Sequence, residues 1–159
     1  MTNAEKTEEI LKNKGYHISF AESCTGGMAA SSLVDVAGSS AVLDVSFVTY
    51  ANEAKISYLG VDPETINSFG VVSEQVTAQM CEGVALRAGA QVGVGISGIA
   101  GPGGGTEKKP VGTVCFGFYV DGVIETFTEH FGDIGRSNVR KKATDFVFAK
   151  LVEKLSVCD

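Results

Sequence analysis

Two β-rich runs, residues 112–120 and 123–131, are separated only by Asp121-Gly122. An Asp-Gly pair between runs rich in Val, Phe and Thr is a two-residue hairpin signal, because glycine supplies the positive φ such a turn demands. These two runs must therefore be antiparallel neighbours. Upstream the pattern differs: extended apolar runs at 16–21, 42–50 and 91–97 alternate with segments of helical period, the order that builds parallel strands joined by helical crossovers. A sheet holding both arrangements is mixed. The fold class expected is α/β, a three-layer α/β/α sandwich.

The helices carry their own punctuation. Residues 2–14 open at Thr2 or Asn3 and stop at Gly15, and from Met28 the residues Ala29, Ser32, Leu33 and Val36 recur at helical spacing until Ala37-Gly38-Ser39-Ser40. A short helix starts near Asn52. Asp62-Pro63-Glu64 opens another that Gly70 ends, and Ser73 caps a longer one whose Val76, Met80, Val84 and Ala88 share a face. Residues 136–155 form the last helix, with Val139, Ala143, Phe146, Val147 and Leu151 inward. Its first turns crowd together Arg136, Arg140, Lys141 and Lys142, cations that the helix dipole disfavours there and a nearby anion would relieve.

With 159 residues, 44% of them hydrophobic, the chain is expected to be one domain over residues 1–159. A net charge of -6 argues against nucleic acid or an anionic membrane as partner. No apolar run approaches a membrane span and the polar N-terminus lacks a signal peptide's apolar core, so a cytoplasmic location is expected. The cysteines at 24, 81, 115 and 158 form no C-x-x-C pair and have no histidine close in sequence, which gives no metal signature. Cys81, Cys115 and Cys158 are expected to be small buried hydrophobes or inert thiols.

Gly93-Val94-Gly95-Ile96-Ser97-Gly98 matches a dinucleotide-binding fingerprint in letters only. Its glycines fall inside a strand and no helix follows, so it is set aside. Beyond it, residues 98–105 hold five glycines and one proline, followed by Thr106-Glu107-Lys108-Lys109-Pro110. A glycine-rich loop at the carboxyl end of a central strand brings backbone N–H groups close to a small ligand, and the lysines would attract an anion.

Chemistry is expected at Ala21-Glu22-Ser23-Cys24-Thr25-Gly26-Gly27, a strand-to-helix turn carrying a hydroxyl and a thiol. Neither His17, at the start of a strand, nor His130, in the hairpin's return strand, is placed to activate Ser23. Lys55 is, one helical turn past the end of the second strand. To act as a base near neutrality its pKa must fall from about 10.4 by roughly three units, which requires burial or a neighbouring cation. Tyr50 at the same strand end is a candidate to orient the amine or relay the proton through its phenol. N–H groups of the Thr25-Gly26-Gly27 turn are candidates for an oxyanion or phosphate site. Glu22 and Glu53 receive no catalytic role. Cys24 is the alternative nucleophile, provided a base or a positive setting makes it a thiolate.

These motifs, with Val48-Thr49-Tyr50-Ala51-Asn52-Glu53-Ala54-Lys55, Gly98-Ile99-Ala100-Gly101-Pro102-Gly103-Gly104-Gly105 and Lys109-Pro110-Val111-Gly112-Thr113, resemble the CinA C-terminal domain family of nicotinamide-nucleotide amidases. The resemblance runs along nearly the whole chain. It implies a mixed, mostly parallel five-stranded sheet and hydrolysis of nicotinamide mononucleotide to nicotinate mononucleotide and ammonia in NAD salvage, without metal or organic cofactor. It also implies Ser23 as nucleophile, Lys55 as base and Tyr50 assisting. The substrate-binding set expected is Thr25, Gly26, Gly27, Ser40, Asn52, Gly98, Gly101, Gly103, Gly104, Arg136 and Arg140. Many relatives carry a further N-terminal domain, and this chain resembles the stand-alone form. The family's contiguous Gly-Asp-Arg before the last helix is interrupted here by Ile134-Gly135, which leaves Arg136 and Arg140 as two candidates for the substrate phosphate and a catalytically silent nucleotide-binding or protein-interaction module as the alternative reading. The expected partners are a small pyridine nucleotide and, as assembly, a homodimer.

Overall fold

The computed structural model describes residues 1–157; Cys158, expected to be an inert thiol, lies outside them. The elements follow in the order α1 (Asn3–Lys14), β1 (Ile18–Glu22), α2 (Met28–Val34), a 3₁₀ turn (Ser39–Ala41), β2 (Phe47–Val48), α3 (Asn52–Leu59), α4 (Pro63–Phe69), α5 (Glu74–Ala88), β3 (Val92–Gly98), β4 (Thr113–Val120), β5 (Val123–His130) and α6 (Arg136–Ser156). One five-stranded sheet has the order β2-β1-β3-β4-β5. β1 runs parallel to β2 and β3, while β4 is antiparallel to both β3 and β5, so β4 alone points the other way. Helices α1, α2 and α6 cover one face and α3, α4 and α5 the other. This is the mixed three-layer α/β/α arrangement. No helix of the described residues is long and apolar enough to cross a membrane.

Local chemistry sets the helix ends. Thr2 and Glu5 form a reciprocal capping box on α1, Asp62 caps α4 ahead of Pro63, and the Ser73 hydroxyl accepts from the Val76 N–H at the start of α5. Two cores result. Phe20, Val94, Phe116, Phe118, Val147 and Leu151 pack between the sheet and α6, and Val76, Met80 and Val84 pack under α5 with Leu59 and Val61.

The glycines of the rejected fingerprint act in that packing. A Cβ on Gly93 would stand 2.2 Å from the Cys81 carbonyl oxygen, and one on Gly117, outside the fingerprint on β4, would stand 2.2 Å from that of Thr77. These residues let the α5 backbone lie directly on β3 and β4, with no ligand involved. Gly93→Ala is therefore expected to cost about 1–3 kcal/mol in urea unfolding, since the obstacle is backbone that cannot swing aside. Unchanged stability would show that α5 shifts freely.

Two expectations are corrected. The second strand was expected over 42–50, but only Phe47 and Val48 pair with β1, and Leu43 makes an isolated bridge to Ile18. Side chains replace the ladder between them: the Ser19 hydroxyl donates to the Val45 carbonyl at 2.6 Å and the Phe20 N–H donates to Ser46 Oγ at 3.1 Å. The helix expected to continue to Val36 ends at Val34, because the Val36 N–H turns to the nearer Leu33 carbonyl and Gly38, at φ 93°, redirects the chain.

Candidate active site

The site lies at the carboxyl ends of β1 and β3. Beyond β1 the Ser23 N–H donates to the Ile96 carbonyl of β3, and the Ser23 carbonyl accepts from the Gly26 N–H, closing a tight turn. Gly26 and Gly27 both have positive φ, 58° and 104°, and a Cβ on Gly26 would press against the Arg140 guanidinium at 3.1 Å. The turn therefore needs glycine for its backbone and for its close contact with α6. Ser23 is nearly buried, at 9% exposure.

Lys55 enters from α3. Its side chain is 1% exposed, and Nζ lies 3.1 Å from Ser23 Oγ, 2.8 Å from the Thr49 carbonyl oxygen and 3.1 Å from the Tyr50 carbonyl oxygen. No carboxylate pairs with it among the described residues. Burial lowers its pKa from 10.5 to about 8, opposed by the neighbouring Cys24. The shift that base chemistry requires is largely supplied by the fold.

Tyr50 reaches the amine differently from expectation. Its backbone carbonyl, not its phenol, accepts from Lys55, while the phenol oxygen accepts from Arg136 at 2.9 Å and the ring is 61% exposed. The edge position of β2 turns that side chain outward toward α6. The other arm of Arg136 donates to the Gly101 carbonyl at 2.8 Å, so Arg136 ties the Tyr50 strand end to the glycine-rich loop. A cleft of about 400 Å³ opens there, walled by Val71, Val72 and Ile99 and bordered by Arg136 and Lys109. Gly98, Gly101, Gly103 and Gly104 all line it.

Other expected residues lie apart from this cleft. Arg140 is spent within the protein: its guanidinium donates to the carbonyls of Cys24 at 2.9 Å and Thr25 at 3.1 Å, which anchors the Ser23 turn to α6. Carbonyl oxygens of the two site loops thus take the place of the anion expected beside the α6 cations, while Lys141 and Lys142 are exposed. Thr25 is fully buried, its carbonyl shared by Arg140 and the Met28 N–H. Ser40 is exposed in the 3₁₀ turn that precedes the Leu43–Ile18 bridge, at the opposite end of β1 from Ser23. Asn52 is exposed at the first position of α3, and its side chain makes no hydrogen bond among the described residues.

The start of α2 is also occupied. Glu22 is fully buried, and its two carboxylate oxygens accept from the Ala29 and Ala30 N–H groups at 2.9 and 3.0 Å. Those donors, which follow the Thr25-Gly26-Gly27 turn expected to serve a ligand, hold the nucleophile turn. Cys24 is only 6% exposed among core residues, and burial pushes its thiol up to about 11. Burial disfavours the thiolate that the Cys24 alternative requires. His17 lies 2.8 Å from Asp44 at the far end of β1, and His130 sits against Thr113, so neither reaches Ser23. Sequence reasoning missed the carbonyl of Thr49 and the cap made by Glu22. The only signal for the cap was an acid six residues before the start of a helix whose own cap position is glycine.

Comparison with known proteins places this geometry. The chain is 52% identical over 138 residues to the nicotinamide-nucleotide amidohydrolase PncC of Enterobacter agglomerans, covering 86% of this chain and 83% of that protein. It is 45% identical over 151 residues to a CinA-like protein of Fervidobacterium nodosum, of which it spans 36%. Crystal structures of a competence-damaged protein superfamily member from Klebsiella pneumoniae (TM-score 0.93, 37% identity, covering 97% of this chain and 96% of that one) and of CihA from Agrobacterium tumefaciens (TM-score 0.90, 40% identity, 98% and 97%) share its fold. The sequence profile of the CinA C-terminal domain matches residues 1–155, and the chain belongs to that family.

Proposed function

We propose that the chain is an amidohydrolase that converts nicotinamide mononucleotide to nicotinate mononucleotide and ammonia, with Ser23 as nucleophile and Lys55 as base. The observation that carries this reading is the buried Lys55 amine, 3.1 Å from Ser23 Oγ and without a carboxylate partner among the described residues. A neutral amine has two hydrogens and one lone pair. With its hydrogens donated to the Thr49 and Tyr50 carbonyls, the lone pair is left for the Ser23 hydroxyl proton. Ser23 Oγ then bonds to the carboxamide carbon as Lys55 takes the proton. The C–N bond breaks as Lys55 returns that proton to the departing ammonia, and water completes the cycle by hydrolysing the acyl-serine to the carboxylate. The Tyr50 phenol accepts from Arg136 and keeps its own hydrogen to donate to the bound substrate. The name of the Enterobacter relative, similar over most of both chains, supports the substrate.

The test is ammonia release from nicotinamide mononucleotide, measured alongside binding by calorimetry. Turnover is expected in the wild type and in Cys24→Ala, whose thiol is buried and protonated. Tight binding of the mononucleotide without ammonia release would instead establish the silent nucleotide-binding module.

A further inference from the structure

We infer that Lys109, with the Thr106 hydroxyl, forms the subsite for the substrate's phosphate monoester; this deepens the amidohydrolase reading above and rests on it. The cleft at the carboxyl end of β3, linked to Lys55 through Arg136 and Tyr50, is bordered by two cations, Arg136 and Lys109, and no acid lines it. In a chain with 19 acidic against 13 basic residues this is a local inversion of charge, suited to an anionic ligand group. The two cations differ in position. Arg136 stands on the near side, joined to Tyr50, whose carbonyl holds the Lys55 amine. Lys109 stands by the end of α4, where Nζ donates to the Phe69 carbonyl at 2.6 Å. The reacting carboxamide must lie at Ser23, so the phosphate at the other end of a mononucleotide falls to the farther cation.

Lys109 is built in and still available. The Lys109 N–H donates to Thr106 Oγ1 at 3.0 Å and the Thr106 N–H donates to the Lys109 carbonyl at 2.8 Å, a small closed turn that fixes where the side chain starts. Phe69 takes one ammonium hydrogen and two remain. The Thr106 hydroxyl accepts from the Lys109 backbone and keeps its own hydrogen to donate. On its other side Lys109 borders a second cleft that contains Glu74, but the Thr126 and Thr128 hydroxyls occupy both Glu74 oxygens at 2.6 Å. Among the described residues that acid makes no ion pair with Lys109. The glycines at 103 and 104 bring backbone into the same cleft without side chains, while Val71, Val72 and Ile99 offer apolar wall to the rest of the nucleotide.

The experiment compares Lys109→Met and Lys109→Arg with wild type on nicotinamide mononucleotide and on the dephosphorylated nucleoside, nicotinamide riboside. Lys109→Met is expected to lower kcat/KM for the mononucleotide by about 10- to 100-fold through KM, the range of a lost hydrogen bond to a charged group. Activity on the nucleoside should stay unchanged, and Lys109→Arg should restore part of the loss. An equal loss on both substrates would mean that Lys109 only holds the end of α4, and no loss on either would also overturn the assignment. Calorimetry with nicotinate mononucleotide and nicotinate riboside separates this inference from the chemistry. If the wild type hydrolyses neither amide, the amidohydrolase reading fails, yet selective weakening of mononucleotide binding in Lys109→Met still upholds the phosphate subsite. Equal weakening of both, or no mononucleotide binding by the wild type, overturns it.

Discussion

Ser23→Ala and Lys55→Met are each expected to lower kcat by at least about 10²–10⁴-fold, and the double variant to fall little further than the worse of the two. In the proposed mechanism nucleophile and base act as a unit, because the Lys55 amine lies 3.1 Å from Ser23 Oγ and no histidine reaches Ser23 among the described residues. Removing either ends the same step. Independent losses that multiply in the double variant would show that they serve different steps. The wild-type rate should rise tenfold per pH unit below about 8 and level off above it, since only the neutral amine is a base and burial sets its pKa near 8. Folding stability carries the same signature. Below pH 8 the amine is protonated in both states, and the folded state bears the full desolvation cost, about 3 kcal/mol for a pKa depressed from 10.5 to about 8. Between pH 8 and 10.5 the unfolded chain binds the proton and the folded one does not, so stability contributed at this site rises with pH. Lys55→Met should lack that rise, so the stability difference between variant and wild type should shrink as pH goes from 8 to 10.5, while two carbonyls left without a donor offset part of the gain from removing a buried charge.

How much of this was legible beforehand depends on whether a residue's partner was local. The hairpin at Asp121-Gly122, the caps at Asp62 and Ser73 and the inward face of α6 are written within a few residues of where they act. Ser23 and Lys55 were also readable, because parallel neighbouring strands bring their carboxyl ends to one side whatever the details of pairing. What failed depended on distant groups. Arg140 looked like part of an anion site because its acceptors, the carbonyls of Cys24 and Thr25, are backbone and leave no mark on composition. Ser40 lies at the opposite end of β1 from Ser23, a placement set by the Leu43–Ile18 bridge between segments distant in sequence. The Tyr50 phenol was assigned to the amine because strand position fixes a backbone, whereas the rotamer of an exposed ring follows whichever cation arrives from α6.

Glu22→Ala should have the largest effect on stability of any change outside the hydrophobic cores. Gly27, at the cap position of α2, has no side chain to satisfy the first N–H groups of the helix, and the buried Glu22 carboxylate does so from the end of β1. Truncation leaves the N–H groups of Ala29 and Ala30 without acceptors next to a cavity, at about 1–3 kcal/mol for each donor left unsatisfied. The expected loss in urea unfolding is therefore about 2–6 kcal/mol. Glu22→Gln is the more informative variant. It fills the same volume, but its amide presents an acceptor to one N–H and a donor to the other, so it should recover only part of the loss. Activity should follow, because Glu22 precedes Ser23 and the residues it ties, Ala29 and Ala30, follow it, so the contact closes the turn that carries Ser23. In a folded Glu22→Gln, kcat should fall while KM for the mononucleotide holds, since the turn that aims Ser23 at Lys55 loosens and the cleft beyond it is untouched. Full stability in Glu22→Gln would mean that a neutral side chain serves as well, and that the carboxylate is not what holds the nucleophile turn against α2.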